Sequence, residues 1–98
     1  MNTIEQKIGQ YLSTKPVKKA FLFGSFARNE QDANSDIDLL VDLDYEGGAD
    51  FFIYIDMQEQ LSELLGIKVD LVSQNGLSKF IKPIIDKEKR MIYERPNS

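Results

Sequence analysis

Leu22-Phe23-Gly24-Ser25-Phe26-Ala27-Arg28, followed by Ser35-Asp36-Ile37-Asp38-Leu39-Leu40-Val41, decides how this chain is read. Lys19 to Phe23 is a short apolar run that stops at Gly24, the pattern of a central strand running into a turn. Ser25 to Arg28 is expected to open a short helix, Gln31 to Ser35 a polar loop, and Asp36 to Leu43 a second strand. Side chains two apart on a strand share a face. Asp36 and Asp38 therefore project together, while Ile37, Leu39 and Val41 turn into a core. Two adjacent carboxylates repel unless something positive lies between them. Magnesium suits that position, being a hard cation often shared between carboxylates and substrate phosphates. A glycine-serine turn beside the pair offers backbone N–H groups and a hydroxyl to the same phosphates. The two motifs together point to nucleotidyl transfer.

The remaining elements arrange themselves around these motifs. Thr3-Ile4-Glu5-Gln6 has the form of a capping box, and Ile4, Ile8, Tyr11 and Leu12 follow at helical spacing until Pro16 closes the helix. Tyr45-Glu46-Gly47-Gly48 reads as a turn. Asp50 to Leu65 is the main helix, with Ile53, Met57, Leu61, Leu64 and Leu65 as its inner stripe and Gly66 as its stop. Phe51, Phe52, Tyr54 and Ile55 widen the apolar surface at its start. Filling the core is the favoured role for these four, and a patch kept for a partner is the sharper one. Ile67 to Val72 forms a further strand, with Val69 and Leu71 on one face and Lys68 and Asp70 on the other. Leu77, Phe80, Ile81, Ile84 and Ile85 give a complete helical stripe, interrupted by Pro83. That proline predicts a kink or a helix whose regular part starts near Lys82. Met91 to Glu94 is a short last strand. The result is an α/β fold, a mixed sheet with flanking helices.

Size and composition narrow the chemistry. The 98 residues are expected to form one domain, 1–98, without room for a second, substrate-binding one. There is no cysteine, which fits a reducing cytoplasm, and no histidine, which removes the commonest general base and zinc ligand. Any catalysis must run on carboxylates and metal. Nothing resembles a signal peptide, and no apolar run approaches a membrane span. A net charge of −4 argues against direct nucleic-acid binding. It is compatible with a nucleotide only where metal ions mediate the contact.

The quoted stretches, with Lys68-Val69-Asp70-Leu71-Val72, closely resemble the minimal nucleotidyltransferase (MNT) family of the DNA polymerase β-like superfamily. The family pattern is Gly-Ser, a spacer, then Asp-x-Asp, and the likeness runs from about Lys18 to Val72 and more loosely onward. It departs at Asn29, where the family most often has glycine. Asn is the other residue that tolerates a left-handed backbone, so the turn is expected to survive. The resemblance implies that Asp36, Asp38 and Asp70 hold two magnesium ions, Asp70 from a neighbouring strand, where it also takes the nucleophile's proton. Gly24 and Ser25 would grip the phosphates of ATP. Arg28 would reach a phosphate or the acidic cluster, a structural ion pair being equally open to it. The plainer alternatives are a solvent-facing strand edge for the aspartates and a simple N-cap for Ser25.

The resemblance further implies AMP transfer to a tyrosine of a helical HEPN-type ribonuclease toxin, with this chain as the antitoxin. Two other readings stay open. One is nucleotidyl transfer to a small molecule, with a separate helical subunit completing the pocket. The other is a binding module that silences its partner by occlusion, without turnover.

Overall fold

A computed structural model describes residues 3–96; residues 1–2 and 97–98 of the expected domain lie outside them. The elements are α1 (Ile4–Leu12), β1 (Val17–Phe23), a 3-10 turn (Gly24–Phe26), β2 (Ile37–Leu43), α2 (Phe51–Leu65), β3 (Val69–Ser73), a second 3-10 turn (Gln74–Gly76), α3 (Lys82–Glu88) and β4 (Arg90–Glu94). The four strands form one sheet in the order β3-β2-β1-β4. β1 runs antiparallel to β2 and β4, and β2 runs parallel to β3. A parallel pair needs a crossover, and α2 supplies it. The expected α/β fold with a mixed sheet is therefore what forms.

The helix ends follow their sequence signals. Thr3 and Gln6 close the capping box, with bonds of 3.1 and 2.9 Å. The Asp50 carboxylate accepts the Ile53 N–H at 2.8 Å, and Gly66 ends α2 at φ 68°. α1 stops at Leu12, before Pro16, and α3 begins at Lys82 with Pro83 in its first turn. Proline is at home there because that N–H has no helical partner.

Strand parity divides the sheet. Ile37, Leu39 and Val41 of β2, Ala20 and Leu22 of β1 and Val69 and Leu71 of β3 enter a core closed by Ile8 and Leu12 of α1 and Met57 and Leu61 of α2. Burial of each large side chain contributes roughly 1.5–3 kcal/mol. The opposite face of β2 carries Asp38 and Leu40. Leu40 is fully buried, yet like Ile85 of α3 it stands outside the main cluster. Lys89 Nζ sits 4.6 Å from the ring centre of Phe21, the register partner of Leu40. The end of α3 thus covers part of the carboxylate face.

β3 is an edge strand, and α2 seals it. Tyr54, Gln58 and Ser62 recur every four residues along one helix face. Ser62 Oγ accepts the Val69 N–H at 2.9 Å, Gln58 Oε1 accepts the Leu71 N–H at 3.0 Å, and the Tyr54 hydroxyl donates to the Leu71 carbonyl. Backbone groups that would recruit another strand are satisfied within the chain.

Three expectations are corrected. Phe51 and Phe52 do not fill the core: they are 69% and 77% exposed, one edge-on to the other. Leu64 also faces outward. In the last stripe only Ile85 is buried, while Phe80, Ile81 and Ile84 are exposed. The physical reason is length. α3 has seven residues and meets the sheet through one turn, so the rest of the stripe has nothing to pack on.

Candidate active site

The site is assembled by register. Phe23, the last residue of β1, pairs with Asp38 of β2, and Asp38 is in register with Asp70 of β3. Phe23, Asp38 and Asp70 therefore line up across three strands, each about 4.8 Å from the next, and Gly24 follows directly at the end of that row. Asp36 enters β2 two residues before Asp38, and the Ile37 N–H donates to the Lys68 carbonyl at 2.9 Å. That bond brings Lys68 alongside. Its ammonium lies 3.8 Å from an oxygen of Asp36 and 3.8 Å from an oxygen of Asp70. Lys68, an exposed surface lysine, is thus the counter-ion of both carboxylates.

Asp38 is held above the usual carboxylate range. Burial is the main cause, followed by repulsion from Asp70, Asp36 and Glu88, with Arg28 opposing. Such repulsion is what a divalent cation would relieve. Among the described residues no three carboxylates converge tightly enough to enclose one ion. Asp36, Asp38 and Asp70 instead form an open row of hard oxygen donors, and that donor set fits magnesium shared with a substrate's phosphates.

Gly24 is required twice over. Its φ is 74°, a left-handed conformation that side chains disfavour. A Cβ built there would also fall 2.3 Å from Asp38 Oδ2. The glycine thus makes room for the aspartate. Asn29 adopts φ 57°, so the residue replacing the family's glycine does hold the left-handed turn. Ser25 lies in a three-residue 3-10 turn that has no side-chain cap bond. The simple N-cap alternative for Ser25 falls away, and the short helix expected to open over Ser25 to Arg28 is a single 3-10 turn that starts one residue earlier, at Gly24.

One residue of the site was not anticipated. Glu88, at the end of α3, accepts the Gly24 N–H at 2.9 Å through Oε1 and the Arg28 guanidinium at 2.8 Å through Oε2. These bonds hold its carboxyl below the usual range, the Gly24 amide contributing most. Arg28 Nε also reaches Glu30 at 3.1 Å. A signal existed: Glu88 continues the spacing of Ile81, Ile84 and Ile85, so a charge falls where the stripe demands an inward residue.

The sequence pattern of the family described as "Polymerase beta, Nucleotidyltransferase" matches residues 6–98. This chain belongs to that nucleotidyltransferase family. Among its relatives, a Methanocaldococcus jannaschii chain provisionally named a protein adenylyltransferase is 45% identical over 73 residues, 74% of this chain and 72% of the relative. A Thermococcus cleftensis chain named protein adenylyltransferase MntA is 36% identical over 72 residues, 74% of this chain and 71% of its own. The fold recurs in a toxin–antitoxin crystal structure with AMP-PNP, at TM-score 0.78 and 24% identity over 94% of this chain and 74% of that one. It recurs again in a structure of a tri-AMPylated Shewanella oneidensis HEPN toxin with an MNT antitoxin. There the TM-score is 0.69 at 20% identity, over 93% of this chain and 70% of that one. As a member of the polymerase β nucleotidyltransferase family, the chain is an enzyme of the nucleotidyltransferase class.

Proposed function

We propose that this nucleotidyltransferase moves AMP from ATP to a hydroxyl on a protein partner, a tyrosine of a helical HEPN-type toxin, and so acts as its antitoxin. The observation that carries the reading is the register of Asp38 with Asp70 beside the Gly24-Ser25 turn. The names of the relatives support adenylyl transfer to protein, and the toxin–antitoxin structures that share the fold support the partner class.

Two magnesium ions, when bound, would neutralise the phosphates and polarise the attacking hydroxyl. The chain's own contributions are distinct from that. Asp36 and Asp38 present oxygens on one face, and Asp70 presents its own from the next strand. The Gly24-Ser25 turn and Arg28 hold the triphosphate so that its α-phosphorus faces the carboxylate row. The acceptor oxygen forms a bond to that phosphorus, the bond to the bridging oxygen breaks, and pyrophosphate leaves with its electron pair. Asp70 takes the hydroxyl proton. Positioning supplies much of the rate in such transfers.

One observation favours a protein acceptor over a small one. Phe51 and Phe52 are exposed, and Phe51 lines a mostly apolar cavity of about 260 Å³ with Leu43, Tyr45, Asp50, Tyr54 and Ser73. Exposed aromatics of this kind mark protein contacts. Incubation with ATP, magnesium and a HEPN-type partner, followed by intact mass measurement, tests the proposal. The partner should gain AMP units, and Asp70→Asn should prevent it. Tight binding without any mass gain would favour occlusion instead.

A further inference from the structure

We infer that Glu88 is the positioning residue of the phosphate site: by accepting the Gly24 N–H it anchors the Gly24-Ser25 turn, and by accepting from Arg28 it orients the guanidinium that receives a nucleotide's phosphates. The inference rests on the nucleotidyl-transfer reading above. Three features carry it. The turn is short, with three residues, a left-handed glycine and no side-chain cap, and its own backbone bonds, from Ala27 and Arg28 to the Gly24 carbonyl, leave the Gly24 N–H to a partner outside it. Glu88 meets the need from another element 64 residues away, one oxygen for each donor. The Glu88 side chain is only 23% exposed and its bond to Gly24 is partly buried, while Arg28, 44% exposed, leaves its outer edge open to solvent and substrate.

The guanidinium geometry says what is left for substrate. Arg28 carries five N–H donors in a planar fork. Glu30 engages Nε and Glu88 engages Nη1, so the plane is fixed from two sides and Nη2 is left for a phosphate oxygen. A charge at position 88 also has a cost, because Glu88 repels Asp38. Both partners favour the charged form, since a carboxylate accepts an N–H more strongly than an amide oxygen does, and only the carboxylate can accept from Gly24 and pair with the Arg28 charge at once.

Glu88→Gln separates the two roles. Glutamine keeps the shape and an oxygen for Gly24 but turns an N–H toward Arg28. Calorimetric titration with a non-hydrolysable ATP analogue and magnesium should show binding weakened about tenfold, the scale of one charge-assisted hydrogen bond. The melting temperature should stay nearly unchanged. In an Arg28→Ala background the same change should cost no further affinity. Independently of nucleotide, the Arg28 Nη protons should exchange with solvent faster in Glu88→Gln by nuclear magnetic resonance. Equal affinity of wild type and Glu88→Gln would overturn the assignment and leave nucleotidyl transfer standing. Tighter binding would overturn it in favour of Glu88 as an internal anion that phosphate must displace. Absence of binding by the wild type would remove the nucleotide reading itself, and this inference with it.

Discussion

Gly24 and Asp38 occupy each other's space: the position of a Cβ on Gly24 lies 2.3 Å from Asp38 Oδ2. The turn and the carboxylate therefore cannot be varied independently. Gly24→Ala should destabilise the protein through left-handed strain, worth about 1–2 kcal/mol, and through the displaced carboxylate. Asp38→Ala removes the atom in conflict. The double variant should thus be more stable than the sum of the single changes predicts, as contacting residues couple. Chemical denaturation of the four proteins measures the coupling, and strict additivity would contradict the contact.

The raised pKa of Asp38 sets a sign for pH dependence. A carboxyl that holds its proton more tightly when folded than when unfolded makes stability fall as pH rises from the ordinary aspartate range through its elevated folded-state value. In metal-free buffer the wild type should lose stability across that window, and Asp38→Asn should lose less. At neutral pH Asp36→Asn with Asp38→Asn should melt a few degrees higher than wild type. Magnesium should raise the melting point of the wild type and leave the double variant unmoved. Scanning fluorimetry with chelator or magnesium reads all of this. A double variant that binds the ATP analogue and magnesium as tightly as wild type would sink the two-ion assignment.

Ser25 makes no cap bond in its turn, so Ser25→Ala should change stability by no more than about 0.5 kcal/mol. Transfer or nucleotide affinity should drop by more than that change implies. Loss of stability with a full transfer rate would return Ser25 to a structural role.

Strand parity made much of this site legible. The alternation through Asp36-Ile37-Asp38-Leu39 separates core from chemistry wherever one sheet face is buried, and Asp50 and Gly66 bracket α2 by local capping rules. What stayed hidden depends on contacts between distant segments. Lys68 bridges Asp36 to Asp70 only because β2 and β3 are parallel and in register. Glu88 reaches Gly24 only because α3 folds back over the carboxylate face. Phe51 and Phe52 have strong apolar character, yet sequence alone cannot tell whether a neighbouring element exists to cover them.

The sealed edge of β3 gives another test. Gln58→Leu leaves the Leu71 N–H without its partner, and an unsatisfied buried donor costs about 1–3 kcal/mol. Tyr54→Phe removes the donor to the Leu71 carbonyl and should cost about 1 kcal/mol. With both changed, the strand edge next to Asp70 is open, and size-exclusion chromatography at high concentration should show self-association. A monomer of unchanged stability would mean that the helix does not protect the edge.

The exposed aromatics offer the test that bears most directly on the partner. Phe51 and Phe52 leave most of their surface in water, so replacing both with serine should alter stability by less than about 0.5 kcal/mol and improve solubility. Neither residue is in the site formed by Gly24, Asp38 and Asp70, so affinity for the ATP analogue should be kept. If this face receives the toxin, the variant should retain nucleotide binding and lose AMP transfer, because the acceptor tyrosine is no longer held in line with the α-phosphate. Aromatic anchors at the centre of an interface commonly contribute 2 kcal/mol or more, so partner affinity should fall by at least about thirtyfold. Intact mass measurement of the partner and calorimetric binding read the two effects separately. Full transfer by the double serine variant would move the docking face to the other exposed apolar surface, Phe80, Ile81 and Ile84 on and before α3, where triple substitution by serine repeats the test.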